Sequence, residues 1–276
     1  MTQQSLTEHN LGHSLDALAN LDPRGYGVCR ILYDAAREAM GGPLCIHAAK
    51  ALVGAVKPGD CVYILTGFVL SPWNKAETDG VIGSVFLARA LEKAFGARPV
   101  IVCSEEAVQA ARALTELCGL QGVKVISFTK DKAEAESQTE SLLAEAPPRG
   151  MGKIAPQLER YVPCIPAATA AEYLITATVS DWGCYALIAA LAFLREDIGV
   201  MHGAELELAA CELAVQHGLI DMTGLPVPAI DGFGPAINTL IVTLMRECVR
   251  ETLRLRETCA PWFGRVIERG YFEGKA

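Results

Sequence analysis

Two acids and four small residues set the first functional expectation. Glu77-Thr78-Asp79-Gly80 is followed by Gly83 and Ser84, and preceded at a distance by Thr66-Gly67-Phe68. The apolar run Cys61–Leu65 reads as a strand, the stretch 66–83 as its loop, and Ser84–Phe95 as a helix. In open α/β sheets ligands bind beyond the carboxyl ends of strands. A helix N-terminus offers free N–H groups and the positive end of a dipole to an anion. Two carboxylates beside such an end, Glu77 and Asp79, suit a divalent metal or an ammonium group. Gly80, Gly83 and Ser84 would form the anion cradle, and Thr66 and Gly67 would let backbone approach the ligand. The stretch reads as a small-molecule site, although Asp79-Gly80 is equally a turn and cap before a helix.

A second place of the same kind is Ser180-Asp181-Trp182-Gly183, where a strand pattern, 173–179, meets the apolar helix 184–194. Ser180 and Asp181 are either site residues or a cap, and Trp182 either a ligand wall or core. If all the strands share one parallel sheet, Glu77, Asp79, Ser180 and Asp181 approach one another at its carboxyl edge.

The elements that must position these residues alternate. Helices are expected at 28–40, 44–56, 84–95, 105–118, 130–144, 184–194, 203–217 and 236–259, with strands at 61–66, 99–103, 123–128 and 173–179. That order predicts a doubly wound, mainly parallel sheet with helices on both faces, a three-layer α/β/α fold. Residues 1–12 are polar and expected to be mobile, with a short helix at 14–21. Residues 13–276 are expected to form a single domain, with no internal repeat or clear linker.

Composition excludes several classes. The 276 residues are 51% hydrophobic and 20% charged, with net charge −8 and no basic run, which argues against nucleic acid. The longest apolar run, 184–194, is too short to span a bilayer, so no membrane partner is expected. The ten cysteines lack a C-x-x-C pair and read as reduced, buried hydrophobes, so a cytoplasmic or otherwise reducing location is expected. No G-x-G-x-x-G, P-loop, G-x-S-x-G or H-E-x-x-H occurs, so no nucleotide cofactor is expected. The histidines lack zinc-ligand spacing. Carboxylates remain as the leading catalytic groups, and any metal they hold should be Mg²⁺ or Mn²⁺.

In order along the chain, Asp22-Pro23-Arg24-Gly25, Thr66-Gly67-Phe68, Glu77-Thr78-Asp79-Gly80, Leu87-Ala88-Arg89-Ala90-Leu91, Gly150-Met151-Gly152-Lys153, Val179-Ser180-Asp181-Trp182-Gly183 and Ile230-Asp231-Gly232 resemble the D-glutamate cyclase family. Members of that family convert D-glutamate to 5-oxo-D-proline. The Thr-Gly-Phe and Glu-Thr-Asp-Gly pieces are the most specific. Two departures stand out. An acidic, glycine-rich segment that precedes Gly-Met-Gly in the family is missing here before Gly150, and the family's Ser-Asn-Trp-Gly reads Ser180-Asp181-Trp182-Gly183. The resemblance implies a small acidic amino acid or its lactam as ligand, with Gly152, Lys153 and Asp231 added to the substrate-binding set. Glu77 or Asp79 would hold the metal, with Asp181 as base or second ligand. A lactam hydrolase on another substrate and a non-catalytic amino-acid-binding protein are the alternatives. A homo-oligomer is expected as the common state of soluble proteins.

Overall fold

The computed structural model describes residues 2–145, 154–156 and 171–270. In chain order its helices are α1 (Gln3–Ala19), α2 (Val28–Met40), α3 (Leu44–Ala55), α4 (Val81–Phe95), α5 (Glu105–Leu117), α6 (Lys132–Glu145), α7 (Ser180–Leu194), α8 (Ala204–Gln216), α9 (Pro235–Leu255) and α10 (Ala260–Glu268). The strands are β1 (Cys61–Leu65), β2 (Val69–Leu70), β3 (Lys75–Ala76), β4 (Arg98–Cys103), β5 (Lys124–Ser127), β6 (Ile154–Pro156) and β7 (Tyr173–Ile175). Two compact units share them. The first takes Met1–Gly54, Gly152–Met201 and Thr243–Ala276, and the second takes Ala55–Met151 and His202–Val242.

The second unit holds the expected alternation. β1, β4 and β5 form a three-stranded parallel sheet in that order, with Ile64 beside Ile101 and Val102 beside Ile126. Helices α4 and α5 make the two crossovers. β4 is the central strand and its residues Pro99–Cys103 are all buried, which explains their unbroken apolar run. Between β1 and α4 the chain adds a hairpin, β2 with β3, antiparallel, in which Val69 faces Ala76. Two-residue strands carry too little periodicity to be read from sequence.

The first unit departs from expectation twice. Residues 1–12, expected to be mobile, lie largely within α1. Thr2 Oγ1 accepts the Ser5 N–H at 3.1 Å, and Ser5 Oγ accepts the Thr2 N–H at 2.9 Å, a reciprocal cap. Leu6, Leu11, Leu15 and Ala19 then bury one face, each leucine contributing about 1.5–3 kcal/mol. The polar residues of this stretch are its solvent face.

The second departure concerns β7. It stops at Ile175 and pairs in parallel with β6, so the described strands do not build the single doubly wound, three-layer sheet. The cause lies in the backbone that follows. The Thr176 carbonyl accepts from Asn20 Nδ2 at 2.9 Å, and the Thr178 N–H donates to the Ala19 carbonyl at 2.9 Å. The end of α1 takes the groups that another strand would need. The fold is mixed α/β, with a small parallel sheet flanked by helices. Likewise the expected helix 236–259 ends at Leu255, and α10 restarts with a proline in its first turn.

No helix among the described residues is long and apolar enough to cross a membrane. The nine cysteines described are free, four of them at least partly exposed and five buried.

Candidate functional site

In the second unit, three separate stretches are laced together at the start of α4. Leaving β1, the Thr66 N–H donates to the Val102 carbonyl at 3.0 Å, extending the ladder by one residue. Gly67 follows at φ +96°, and a Cβ there would stand 2.8 Å from the Ser104 nitrogen. The glycine is therefore required by the turn from β4 into α5, whatever else it does. The hairpin returns the chain to Glu77, whose N–H donates to the Phe68 carbonyl at 2.9 Å.

Thr78 is the anchor. Its N–H donates to the Ile220 carbonyl at 2.9 Å, and its Oγ1 donates to the Ala229 carbonyl at 2.6 Å. The Ile220 N–H in turn donates to the Ala76 carbonyl at 3.1 Å. These bonds bring 77–79, 220–221 and 229–232 to one place. Asp221 is buried, and its carboxylate accepts the Thr223 N–H at 3.0 Å and the Gly232 N–H at 2.7 Å. Asp231 (φ +56°) and Gly232 (φ +79°) are the two central residues of a tight turn in which Ile230 and Phe233 exchange both backbone hydrogen bonds. Asp-Gly is the pair such a turn demands. Four acids, Glu77, Asp79, Asp221 and Asp231, thus sit on stretches joined by hydrogen bonds. Glu77, Asp221 and Asp231 are buried, and Asp79 is half-buried.

Gly80, at φ +79°, is the N-cap of α4 and brings no side chain of its own to that helix end. Gly83 is buried within the helix. Ser84 Oγ donates to the Val81 carbonyl at 2.7 Å, so its proton is committed inside the helix. Burial pushes the Cys103 thiol up to about 11, which removes it as a nucleophile at neutral pH. A separate open cavity of about 560 Å³ is lined by Glu105, Ser127, Thr129, Glu134, Ser137 and Gln138. Gln138 fills its own hydrogen bonds there, accepting from the Thr129 N–H and donating to the Ser127 carbonyl.

Ser180, Asp181 and Trp182 belong to the first unit. They open α7, which is buried from Asp181 to Phe193. Val179 caps it without a side-chain hydrogen bond, and Asp181 in the first turn faces the positive end of the helix dipole. Trp182 is fully enclosed. Just upstream, Asn20 Oδ1, Thr176 Oγ1 and Thr178 Oγ1 are buried with no hydrogen-bond partner among the described residues, places that ordered water would satisfy. The Asp22-Pro23-Arg24-Gly25 motif proves to be a turn. The Asp22 carboxylate accepts the Gly25 N–H at 3.1 Å and the Gly27 N–H at 2.6 Å, and Arg24 Nη2 donates to the Thr178 carbonyl at 3.3 Å. Gly152 and Lys153 lie outside the described residues.

A family model described as D-glutamate cyclase-like, C-terminal, matches residues 15–149 and 148–246. The chain belongs to this family. No curated protein matches it. In this D-glutamate cyclase-like chain the two matched stretches meet at 148–149, just before the Gly150-Met151-Gly152 piece where the resemblance implied a missing segment.

Among the described residues of the D-glutamate cyclase-like chain, no three His, Cys, Asp or Glu side chains are grouped so that they could hold a metal ion. The stretches around Thr78 bring oxygen donors only. That chemistry suits Mg²⁺ or Mn²⁺ held by one or two carboxylates and completed by water or substrate. Of the acids gathered there, Asp221 escaped the sequence reading. It belongs to no motif, and its loop, 218–235, is uniformly rich in Gly, Pro and Asp.

Proposed function

We propose that this chain is a D-glutamate cyclase-like enzyme that interconverts a small acidic amino acid and its lactam, D-glutamate and 5-oxo-D-proline. The observation that carries the proposal is the hydrogen-bonded convergence of 77–79, 220–221 and 229–232, two of them family motifs, at the start of α4.

The reaction joins the α-amine to the γ-carboxyl carbon. A C–N bond forms, a C–O bond breaks, and one carboxyl oxygen leaves as water. The amine must lose a proton before it attacks, a task for a carboxylate base. Glu77 and Asp79 are the residues proposed to hold a divalent metal, and when bound it would polarise the γ-carboxylate as a Lewis acid. The positive end of the α4 dipole, at Gly80, is proposed to face a substrate carboxylate. The buried bonds of Thr78 and Asp221 keep the acid-bearing stretches in register, so orientation is fixed before substrate arrives. Asp181 belongs to the first unit, and its assignment as base or second metal ligand stands on the sequence.

A second reading, lactam hydrolysis on another substrate, is favoured by the segment missing at 148–149. One experiment separates the two. NMR of D-glutamate, L-glutamate and both 5-oxoproline enantiomers is followed with the purified protein, with Mn²⁺ or Mg²⁺ and then with EDTA. Conversion of one enantiomer supports the cyclase proposal, and conversion lost with EDTA supports the metal. Silence on all four substrates rejects the cyclase, and other lactams become the substrates to screen.

A further inference from the structure

The acid-bearing stretches of the second unit also carry large apolar side chains that stand in solvent. Phe68 is 59% exposed, Trp73 46% and Leu225 57%. The acids beside them are turned inward, with Glu77 and Asp221 both buried. Single exposed hydrophobes are ordinary on any surface. These three are not scattered, because hydrogen bonds and one close contact tie each of them to a stretch that bears an acid.

Phe68 stands opposite Glu77 across the hairpin. The pairs Val69–Ala76 and Leu70–Lys75 set the register, and the bond from the Glu77 N–H to the Phe68 carbonyl continues it by one pair. Side chains directly opposite on an antiparallel pair share a face, with Cβ atoms about 5 Å apart. Ala76, on the other face, is buried in the core. The Phe68 ring is therefore the neighbour of the Glu77 side chain on the face away from Ala76.

Trp73 reaches the other stretch. Its N–H donates to the Leu70 carbonyl at 3.1 Å, closing the hairpin, and the six-membered ring of its indole lies so close on Gly224 that a Cβ there would run into it. Gly224 also has φ +81°, so backbone and indole both require glycine. The Gly224 N–H donates to the Asp221 carbonyl at 2.8 Å, and the Asp221 N–H donates to the Leu225 carbonyl at 3.0 Å. The indole is thus seated on the turn that Asp221 opens, while nearly half of the residue stays in water.

We infer that Phe68, Trp73 and Leu225 form an apolar subsite beside the acids, and that the site prefers an acidic amino acid or lactam bearing an aryl or alkyl group over the bare compound. The inference rests on the reading of 77–79 and 220–232 as the ligand site. Ligand sites combine aromatic and aliphatic walls with a few placed polar groups. Here the acids supply the polar groups and the three exposed side chains supply the wall. A ligand held at Glu77 by its polar end lays its apolar end against the Phe68 ring, and aromatic contact adds to the area removed from water. Glutamate and 5-oxoproline offer such a wall only short methylene edges.

The test measures binding rather than turnover. 5-Oxoproline, N-benzyl-5-oxoproline and 4-benzyl-5-oxoproline are titrated into the full chain with Mg²⁺ by calorimetry, and the Trp73 indole N–H signal is followed by NMR. At least one benzyl compound should bind about tenfold or more tighter than 5-oxoproline and shift the Trp73 signal saturably. Phe68→Ala and Trp73→Ala should each cut that advantage to about threefold or less. If one variant does not fold, the other decides. Benzyl compounds that bind no tighter than 5-oxoproline, leave the Trp73 signal in place, or keep their advantage in the folded variants would overturn the subsite. The cyclase proposal is judged apart, by conversion. Turnover of D-glutamate without a benzyl advantage keeps the cyclase and rejects the subsite, and a benzyl advantage without turnover of D-glutamate does the reverse.

Discussion

The imidazole of His202 lies flat on the ring of Phe86, with centroids 3.7 Å apart and planes 4° from parallel. The same imidazole meets Glu207, Nε2 to Oε2 at 3.2 Å, with both side chains sealed from solvent. A helix α4 residue is thereby tied to the start of α8 within the second unit. Glu207→Ala should cost about 3 kcal/mol or more in urea unfolding, because it strips a buried polar partner. Combined with Phe86→Leu in a double-mutant cycle, the two losses should be non-additive by at least about 0.5 kcal/mol. Simple additivity would mean that stacking and hydrogen bond act separately.

Asp16 acts as a cap supplied from another helix. Its oxygens accept from Leu44 at 2.7 Å and Cys45 at 3.0 Å at the start of α3. Asp16→Ala should lower unfolding free energy by about 1–3 kcal/mol, and Asp16→Asn by less, since one acceptor survives. Chemical denaturation of the three proteins measures the order, and an Asn variant as weak as Ala would contradict it.

Gly67 and Gly59 both have positive φ, +96° and +81°, but only Gly67 has atoms where a Cβ would go. Gly59→Ala should cost about 1 kcal/mol, the backbone strain alone. Gly67→Ala should cost clearly more, since the Ser104 backbone must move as well. Equal melting-temperature losses would show that the turn yields easily.

Activity should follow the acids near Thr78. Glu77→Gln and Asp79→Asn are expected to lower lactam-forming turnover at least about a hundredfold with the fold intact by circular dichroism. Thr78→Val should lower both stability, by about 1–2 kcal/mol, and turnover, because Oγ1 holds the Ala229 carbonyl. Glu77 and Asp79 variants with full activity would move the chemistry elsewhere.

His9 gives stability a pH dependence of known sign. Its folded pKa lies below 6.5, so its contribution is in place above pH 6.5 and is lost as pH falls through the folded value. Denaturation midpoints between pH 7.5 and 5 should fall more steeply for the natural chain than for His9→Gln. Parallel curves would remove His9 from the account.

The second unit was legible because each element carries its own signal. β1, β4 and β5 are short apolar runs, and α4 and α5 have helical spacing, so their bounds fall within a few residues of expectation. In the first unit α2 was equally legible, running from Val28 to Met40 between Gly27 at φ +73° and Gly41 at φ +71°. The first unit was harder because its signals are tertiary. Nothing local in Thr176-Ala177-Thr178 reveals that Asn20 and Ala19 will take its backbone. Nothing in the polar residues around Leu6 reveals that this leucine will be buried. Among the site residues, the Glu77 and Asp231 motifs were legible as family pieces. Asp221 was not, because its role is to hold the Gly232 amide eleven positions away.

The bonds from Asn20 and Ala19 to 176–178 have a consequence for the order of synthesis. The Thr176 carbonyl that takes the Asn20 side chain at the end of α1 lies 156 positions further along the chain. At ordinary translation speeds that is about ten to thirty seconds. Throughout that interval α1 can meet α3 but not α7, which packs on it in the finished unit, while the β1–β4–β5 sheet of the second unit can already close. The nascent chain should therefore display one apolar helix as a transient handle, and a chaperone that reads such faces would meet this protein at its first seventeen residues of helix rather than at its sheet.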